Sequence, residues 1–259
     1  MKPPRHLTSR SHPLLKTLHR LASEPGAYRK LGQVWLEGDH LARAFLARGG
    51  RAALAVVGAS AWLQPGPREL ALQAAEVVVV DDALLGDISS LESPAAIGFL
   101  IDTPAATAAP LPGVATVVLD RLQDPGNVGT ILRSAAALGV RQVLTMKGSA
   151  ALWSPKVLRA GMGAHFALHL VEGLAIEQLD ALGDLPLVAT SSHAAQALHQ
   201  RVLPAPCAWV FGHEGQGVAP ALMARCQLTV RIPQPGGEES LNVAAATAIC
   251  LYESARQAL

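Results

Sequence analysis

Three stretches of the sequence place polar residues beside glycine in patterns that could bind a ligand. The first is LQDPGNVGTILRSA, where apolar residues recur at helical spacing from Val128 onwards and place Asn127 and Arg133 on the opposite side. The N–H groups at the start of a helix attract anions, so an amide and a guanidinium near that end could bind a phosphate. Taken alone, the pair is more typical of a loop asparagine and a solvated arginine.

The second stretch is WVFGHEGQGV, a buried strand that runs into Gly212 and then Glu214 between two further glycines. Glycine lets a ligand approach the backbone closely, so peptide N–H and C=O groups can serve as the binding groups. The pattern lacks the ending of a P-loop and is not a dinucleotide-binding turn. His213 is interpreted as a residue that hydrogen-bonds within the loop rather than as a general base.

The third stretch is IPQPGGEESLNVAAA, in which a strand ends at Ile232 and a helix is predicted to begin at Ser240. A purely structural interpretation makes Ser240 the N-cap and Asn242 a polar residue of the first turn. The helical spacing predicts a buried face for this last helix, made of Leu241, Ala245, Ala248 and Tyr252.

Strands alternate with helices along the chain, which predicts an α/β protein. We expect an N-terminal α/β domain over 1–102 that includes a basic arm over 1–32. The uncharged, proline-containing segment 103–113 is the predicted linker, and a second α/β domain covers 114–259. That domain should contain a mostly parallel sheet with helices on both faces. Ligands of such sheets collect at the carboxyl ends of the strands, where the three polar stretches lie.

The net charge of +1 conceals an uneven distribution. Residues 1–51 hold ten basic and three acidic residues, a balance of +7, and the remaining chain has a balance of −6. A basic arm favours a polyanionic partner. The three cysteines show no metal-ligand spacing and are predicted to be buried, reduced thiols; no metal site is expected. We find neither a signal peptide nor a run long enough to span a membrane, and we expect a cytoplasmic protein.

Together the three stretches resemble the SpoU (TrmH-like) RNA 2′-O-ribose methyltransferases of the SPOUT superfamily. The likeness rests on Asn127 with Arg133, on the Phe211–Gly215 loop, and on Ile232-Pro233 followed by Ser240–Val243. It covers roughly residues 114–253. More weakly, the N-terminal half with its Leu36-Glu37-Gly38 segment resembles the small ribosomal-protein-like substrate-binding domain of many family members.

The resemblance implies a C-terminal trefoil knot, S-adenosylmethionine (SAM) as cofactor, and a homodimer. It implies RNA as the substrate, ribosomal RNA before transfer RNA, and no DNA or membrane partner. Four residues are expected to contact the cofactor: Thr190, Gly212, Ile232 and Leu241. The expected catalytic residues are Arg133, Asn127, Glu214, Ser240 and Asn242.

Arg133 cannot act as an ordinary base, because the pKa of a guanidinium exceeds about 12. The resemblance instead implies that it binds the neighbouring phosphate and helps the ribose 2′-hydroxyl lose its proton. Two alternatives stay open. One is a catalytically inactive RNA-binding protein on the same fold. The other is a nucleotide-dependent oxidoreductase, for which the glycine-rich turn after the first strand and the acidic residue closing the next are missing.

Overall fold

Two β-sheets organise the chain in this computed structural model, which describes residues 3–104, 108–237 and 240–259. The chain folds into two compact units. Unit 1 comprises Met1–Ala106 and Trp153–Phe166, and unit 2 comprises Thr107–Leu152 and Ala167–Leu259. The segment Trp153–Phe166 therefore belongs to unit 1, although in sequence it lies between strands of unit 2. The predicted linker falls partly on residues 105–107, which lie outside the described residues.

Unit 1 contains a five-stranded mixed sheet. Its strands are β1 (Arg5–Leu7), β2 (Gln33–Glu37), β3 (Leu54–Gly58), β4 (Glu76–Val80) and β5 (Ile97–Asp102). They lie in the order β1-β4-β3-β5-β2. Strands β1 and β3 run parallel to β4, whereas β5 is antiparallel to β2 and β3. The helices are α1 (Pro13–Ser23), α2 (Ala27–Leu31), α3 (Asp39–Ala47), α4 (Ala59–Trp62), α5 (Pro65–Ala71), α6 (Asp82–Ile88) and α8 (Pro155–Gly161).

The core of unit 1 follows from its sequence pattern. Every residue of β3 is buried, as is typical of a central strand that is covered on both faces. Helix α1 buries Leu15, Leu18 and Leu21, which recur every three residues along one side. Phe166 packs edge-to-face on Phe45 with ring centroids 5.1 Å apart, which ties the later segment to this unit.

Unit 2 contains a six-stranded sheet. Its strands are β6 (Thr116–Asp120), β7 (Gln142–Met146), β8 (His169–Leu174), β9 (Leu187–Thr190), β10 (Ala208–Gly212) and β11 (Leu228–Val230). They lie in the order β11-β9-β10-β6-β7-β8, and all of the described pairings are parallel. The prediction of a parallel sheet is thus confirmed. The α-helices of this unit are α7 (Pro125–Ala137), α9 (Pro220–Met223) and α10 (Val243–Ala258), and 3₁₀ turns include Ile176–Leu182 and Leu198–Gln200.

The start and the buried face of helix α10 differ from the prediction. The N-cap is Asn242, whose side chain accepts hydrogen bonds from the N–H groups of Ala244 and Ala245, so the helix begins three residues later than Ser240. The buried side of the helix consists of Ala244, Thr247, Cys250 and Leu251. Leu241 and Tyr252, predicted to be buried, are 39% and 61% exposed. An asparagine in the β-region caps as well as a serine, and the pattern alone cannot rank the two.

Within the described residues, no helix has both the length and the apolarity that a bilayer crossing requires. The same part of the chain holds no group of three or more histidine, cysteine, aspartate or glutamate residues that could ligate a metal ion.

Candidate active site

A cavity of about 610 Å³ opens at one edge of the unit 2 sheet. Thr190 ends β9, Gly212 ends the neighbouring strand β10, and Ile232 follows β11 on the other side of β9. Parallel strands end at the same edge, so the topology brings these three residues together. The cavity is lined by residues 190–193, 211–218, 223, 232, 234, 240–243 and 246. All four predicted cofactor residues and three of the five predicted catalytic residues therefore line one cavity.

The glycine-rich loop after β10 folds tightly back on itself. A Cβ atom on Gly212 would lie 2.1 Å from the backbone of Gly217 and Val218, so only glycine fits at this position. The Nδ1 atom of His213 accepts hydrogen bonds from the N–H groups of Gly215 (3.0 Å) and Gln216 (3.3 Å). His213 thus holds the loop together from inside, in the hydrogen-bonding role predicted for it.

Three predicted catalytic residues form one chain of hydrogen bonds. The Nδ2 of Asn242 donates to Oδ1 of Asn127 at 2.9 Å, and the Nδ2 of Asn127 donates to Oε1 of Glu214 at 3.3 Å. The backbone N–H of Asp124 donates to the same glutamate oxygen, and the Asp124 side chain caps α7 by accepting from the Asn127 N–H at 2.7 Å. The start of α7, the glycine-rich loop and the start of α10 are joined in this way.

The hydrogen bonds keep Glu214 ionised. Partial burial is the largest single effect and raises the pKa of the Glu214 carboxyl. Hydrogen bonds from the N–H groups of residues 123, 124 and 214 and from the amide of Asn127 together lower it by more. The net result is a pKa below the ordinary value of a glutamate. An anionic Glu214 is therefore a permanent acceptor for Asn127 at neutral pH.

Arg133 stands apart from this arrangement. It lies on α7 with its side chain exposed, outside the cavity lining, and within the described chain that side chain makes no hydrogen bond or ion pair. Ser240 lines the cavity but is not the cap of α10. The structure therefore brings together eight of the nine predicted site residues. Asn127 is among them through its hydrogen bonds to Glu214 and Asn242, and Arg133 is the residue left outside.

Sequence reasoning missed a second polar cluster at the other side of the glycine-rich loop. Asp120 ends β6 and is 4% exposed, and Arg121 follows it with a backbone φ of 59°. Arg121 binds Asp120 through two nitrogens and also donates to Gln216 and Gly217 of the loop. The hydrogen bond and the charge of Asp120 raise the pKa of Arg121. The signal available in the sequence was the charged pair Asp120 and Arg121 at the end of a strand.

A parallel sheet whose strand ends and loops enclose a mixed polar and apolar cavity is typical of α/β enzymes that bind a small ligand. Comparison with known proteins specifies the family. The model of the SpoU rRNA Methylase family matches residues 115–252. An uncharacterized tRNA/rRNA methyltransferase of Synechocystis sp. (PCC 6803) is 34% identical over 97% of this chain and 93% of its own.

Two further proteins support the match. The 23S rRNA (guanosine-2′-O-)-methyltransferase RlmB of Pseudomonas putida is 35% identical over 54% of this chain, which spans only 58% of that relative. The crystal structure of an AdoMet-bound rRNA methyltransferase from Sinorhizobium meliloti superposes with a TM-score of 0.84 at 26% identity, covering 98% of both chains. The chain belongs to the SpoU family of RNA methyltransferases, which use SAM as the methyl donor.

The cavity suits such a cofactor. Its volume lies in the range typical of sites for small organic ligands. Gly212 lets the loop backbone at Gly217 and Val218 pack directly against the strand end beside the cavity. The Oε1 atom of Gln234 is buried against the lining and has no hydrogen-bond partner in the part of the chain that the structure describes. A buried acceptor without a partner is costly unless a ligand supplies the donor.

Proposed function

We propose that this protein transfers a methyl group from SAM to a ribose 2′-hydroxyl of RNA, with ribosomal RNA favoured over transfer RNA. One observation carries the proposal: the second and third motifs line a single cavity, and Asn127 of the first motif is joined to it by hydrogen bonds to Glu214 and Asn242. The 2′-hydroxyl distinguishes RNA from DNA and is the group that the reaction requires.

Some residues at the cavity would then bind the cofactor, and others would orient the ribose. When bound, SAM supplies a methyl group already activated by its sulfonium. Thr190, Gly212, Ile232 and Leu241 would hold the cofactor, and Asn242 with Ser240 would orient the ribose so that its 2′ oxygen faces the methyl carbon. Alignment of this kind removes several kcal/mol from a barrier.

Arg133 would activate the hydroxyl by binding the adjacent phosphate. Its positive charge would lower the pKa of the 2′-hydroxyl, whose proton would pass to the phosphate or to water. The guanidinium stays charged throughout, because its pKa exceeds about 12.

The exposed position of Arg133 favours a site completed by a second copy of the chain. We infer a homodimer in which α7 and α10 of one protomer cover the same helices of the other. Helix α10 exposes Ile249 (40%) and Tyr252 (61%), and the exposed cavity residue Leu241 (39%) precedes the helix; a symmetric partner would bury these apolar side chains. Arg133 would then reach the partner's cavity rather than its own.

The remaining family features are part of the same proposal. We expect the C-terminal segment of unit 2 to be knotted, and we expect the N-terminal domain, 1–102, to bind the RNA substrate in the cytoplasm. Support for RNA binding comes from α1, which exposes Lys16, His19 and Arg20 along one side. The cationic side chains of Lys16 and Arg20 suit contacts with phosphates.

The test has a binding arm and a reaction arm. Calorimetric titration should detect one SAM per chain. Methyl transfer from labelled SAM to ribosomal and transfer RNA should give a nucleotide resistant to alkaline cleavage, since that cleavage needs a free 2′-hydroxyl. Arg133→Ala should keep the SAM affinity and lose turnover by about 100-fold or more. SAM binding without transfer to any RNA would favour the inactive RNA-binding protein, and a base-methylated product would refute the 2′-hydroxyl as the target.

A further inference from the structure

The glycine-rich loop is held from two sides, and only one of them carries predicted catalytic residues. On one side Glu214 is bound by Asn127 and Asp124, as described above. On the other side Arg121 donates from Nη1 to Oε1 of Gln216 at 2.9 Å and from Nη2 to the carbonyl oxygen of Gly217 at 3.3 Å. Gln216 and Gly217 line the cavity, whereas Arg121 lies behind them.

A buried carboxylate holds Arg121 in place. Oδ1 of Asp120 accepts from Nε of Arg121 at 3.0 Å, and Oδ2 accepts from Nη2 at 3.2 Å. The same Oδ2 also accepts the N–H of Ala219 at 2.7 Å, at the far end of the loop. Two planar groups paired in this way restrict each other's orientation more than a single hydrogen bond does.

The backbone conformation of Arg121 indicates that its side-chain contacts hold it in place. Its φ of 59° lies in the left-handed region, which is unfavourable for residues other than glycine and asparagine. Such conformations persist where surrounding contacts impose them, and they concentrate near functional sites. The contacts here are those to Asp120 and to the loop.

We propose that Arg121 is a positioning residue that sets the glycine-rich loop in its cofactor-binding shape, with Asp120 as its support. The inference rests on the proposed function insofar as the loop is assigned to SAM. It concerns cofactor affinity and not the chemical step, because Arg121 does not line the cavity. The guanidinium bridges the end of β6 and the middle of the loop, so its loss releases the loop on one side.

The variant Arg121→Gly removes the side chain at a position where glycine suits the backbone. Arg225→Gly is the matched control. Its side chain is 33% exposed against 32% for Arg121, and it also pairs with a carboxylate, Asp180, and with a backbone carbonyl, that of Ile176. Arg225 is not part of the cavity lining.

Two measurements on the full-length protein test the proposal. Without SAM, hydrogen exchange of the peptide covering 212–219 should become faster in Arg121→Gly and stay unchanged in Arg225→Gly. With SAM, the dissociation constant and the KM for SAM should rise about tenfold in Arg121→Gly, the size expected for one partly exposed charged hydrogen bond. The kcat at saturating SAM should stay close to that of the natural protein.

The double variant Asp120→Asn/Arg121→Gly separates loop positioning from the cost of an unpaired buried charge. It has no such charge, so its affinity for SAM should stay as weak as in the single variant. A return to the natural affinity would overturn the proposal, as would unchanged exchange in the loop or equal losses in the Arg225 control. If the natural protein binds no SAM, the proposed function fails, and the exchange experiment still decides the role of Arg121.

Discussion

Whether Arg133 acts on the partner's cavity can be tested by placing an intact arginine and an intact cavity in different subunits. One chain carries Arg133→Ala and keeps its cavity. The other carries Thr190→Trp, which fills the cavity at the end of β9 and keeps Arg133. Two affinity tags on co-expressed chains allow the mixed dimer to be isolated. Calorimetry on each homodimer first shows that only the Thr190→Trp chain has lost SAM binding.

The expected activity follows from the symmetry of the proposed dimer. If Arg133 acts on the partner's cavity, the mixed dimer has one site in which an intact cavity faces an intact arginine. The other site lacks both. The mixed dimer should therefore transfer methyl groups at about half the rate of the natural dimer. Both homodimers should be nearly inactive, since one lacks the arginine at each site and the other lacks the cavity.

A reciprocal dimer gives the opposite outcome and serves as the control. Here one chain carries both Arg133→Ala and Thr190→Trp, and its partner is unchanged. An arginine that acts across the interface leaves this dimer inactive, because the intact cavity faces the missing arginine. If the first mixed dimer is inactive and this one retains about half of the activity, Arg133 acts within its own subunit, and our reasoning from its exposed position is wrong.

Three further predictions concern the rest of the chain. Asn242→Ala should lower the free energy of unfolding by about 1–2 kcal/mol in denaturant titrations, because it removes the cap of α10. Asn242→Asp should keep the cap and most of the stability but lose the hydrogen-bond donor to Asn127. Equal losses of stability in both variants would contradict the capping role. Burial raises the pKa values of Cys207 and Cys226 to about 12 and about 11. At pH 8 about one Cys226 thiol in a thousand is then ionised, so iodoacetamide should label both far more slowly in the native than in the unfolded protein. Lys16→Ala should weaken RNA binding and reduce the slope of affinity against salt by about one, with SAM affinity unchanged; an unchanged slope would remove α1 from the RNA interface.

The sequence predicted the cavity well because the relevant signals are local. Thr190, Gly212 and Ile232 each end or follow a strand, and parallel strands end at one edge, so the three residues converge without any knowledge of side-chain positions. The roles of individual residues are a different matter. The geometry places Glu214 against Asn127, but it does not by itself assign a chemical step to either residue.

Strand order and the composition of unit 1 could not be predicted in the same way. Trp153–Phe166 lies next to β7 in sequence, yet it belongs to the first unit through interactions such as that of Phe166 with Phe45. Hydrophobic periodicity reports that a face is buried but not which partner covers it. Asp120 and Arg121 were missed for a similar reason, since their partners in the glycine-rich loop lie 95 or more residues away in sequence.

The incorrect prediction for α10 is informative about assembly. Leu241 and Tyr252 were assigned to the buried side because they are apolar and helically spaced, and in a single chain they are exposed instead. An apolar stripe that a monomer leaves in water costs free energy unless another surface covers it. The stripe adjoins the cavity at Leu241, and α10 packs on α7, which carries Arg133. In the proposed dimer, contact between the exposed sides of α10 in two chains would bury the stripe, and α7, which packs on α10, would bring Arg133 toward the partner's cavity.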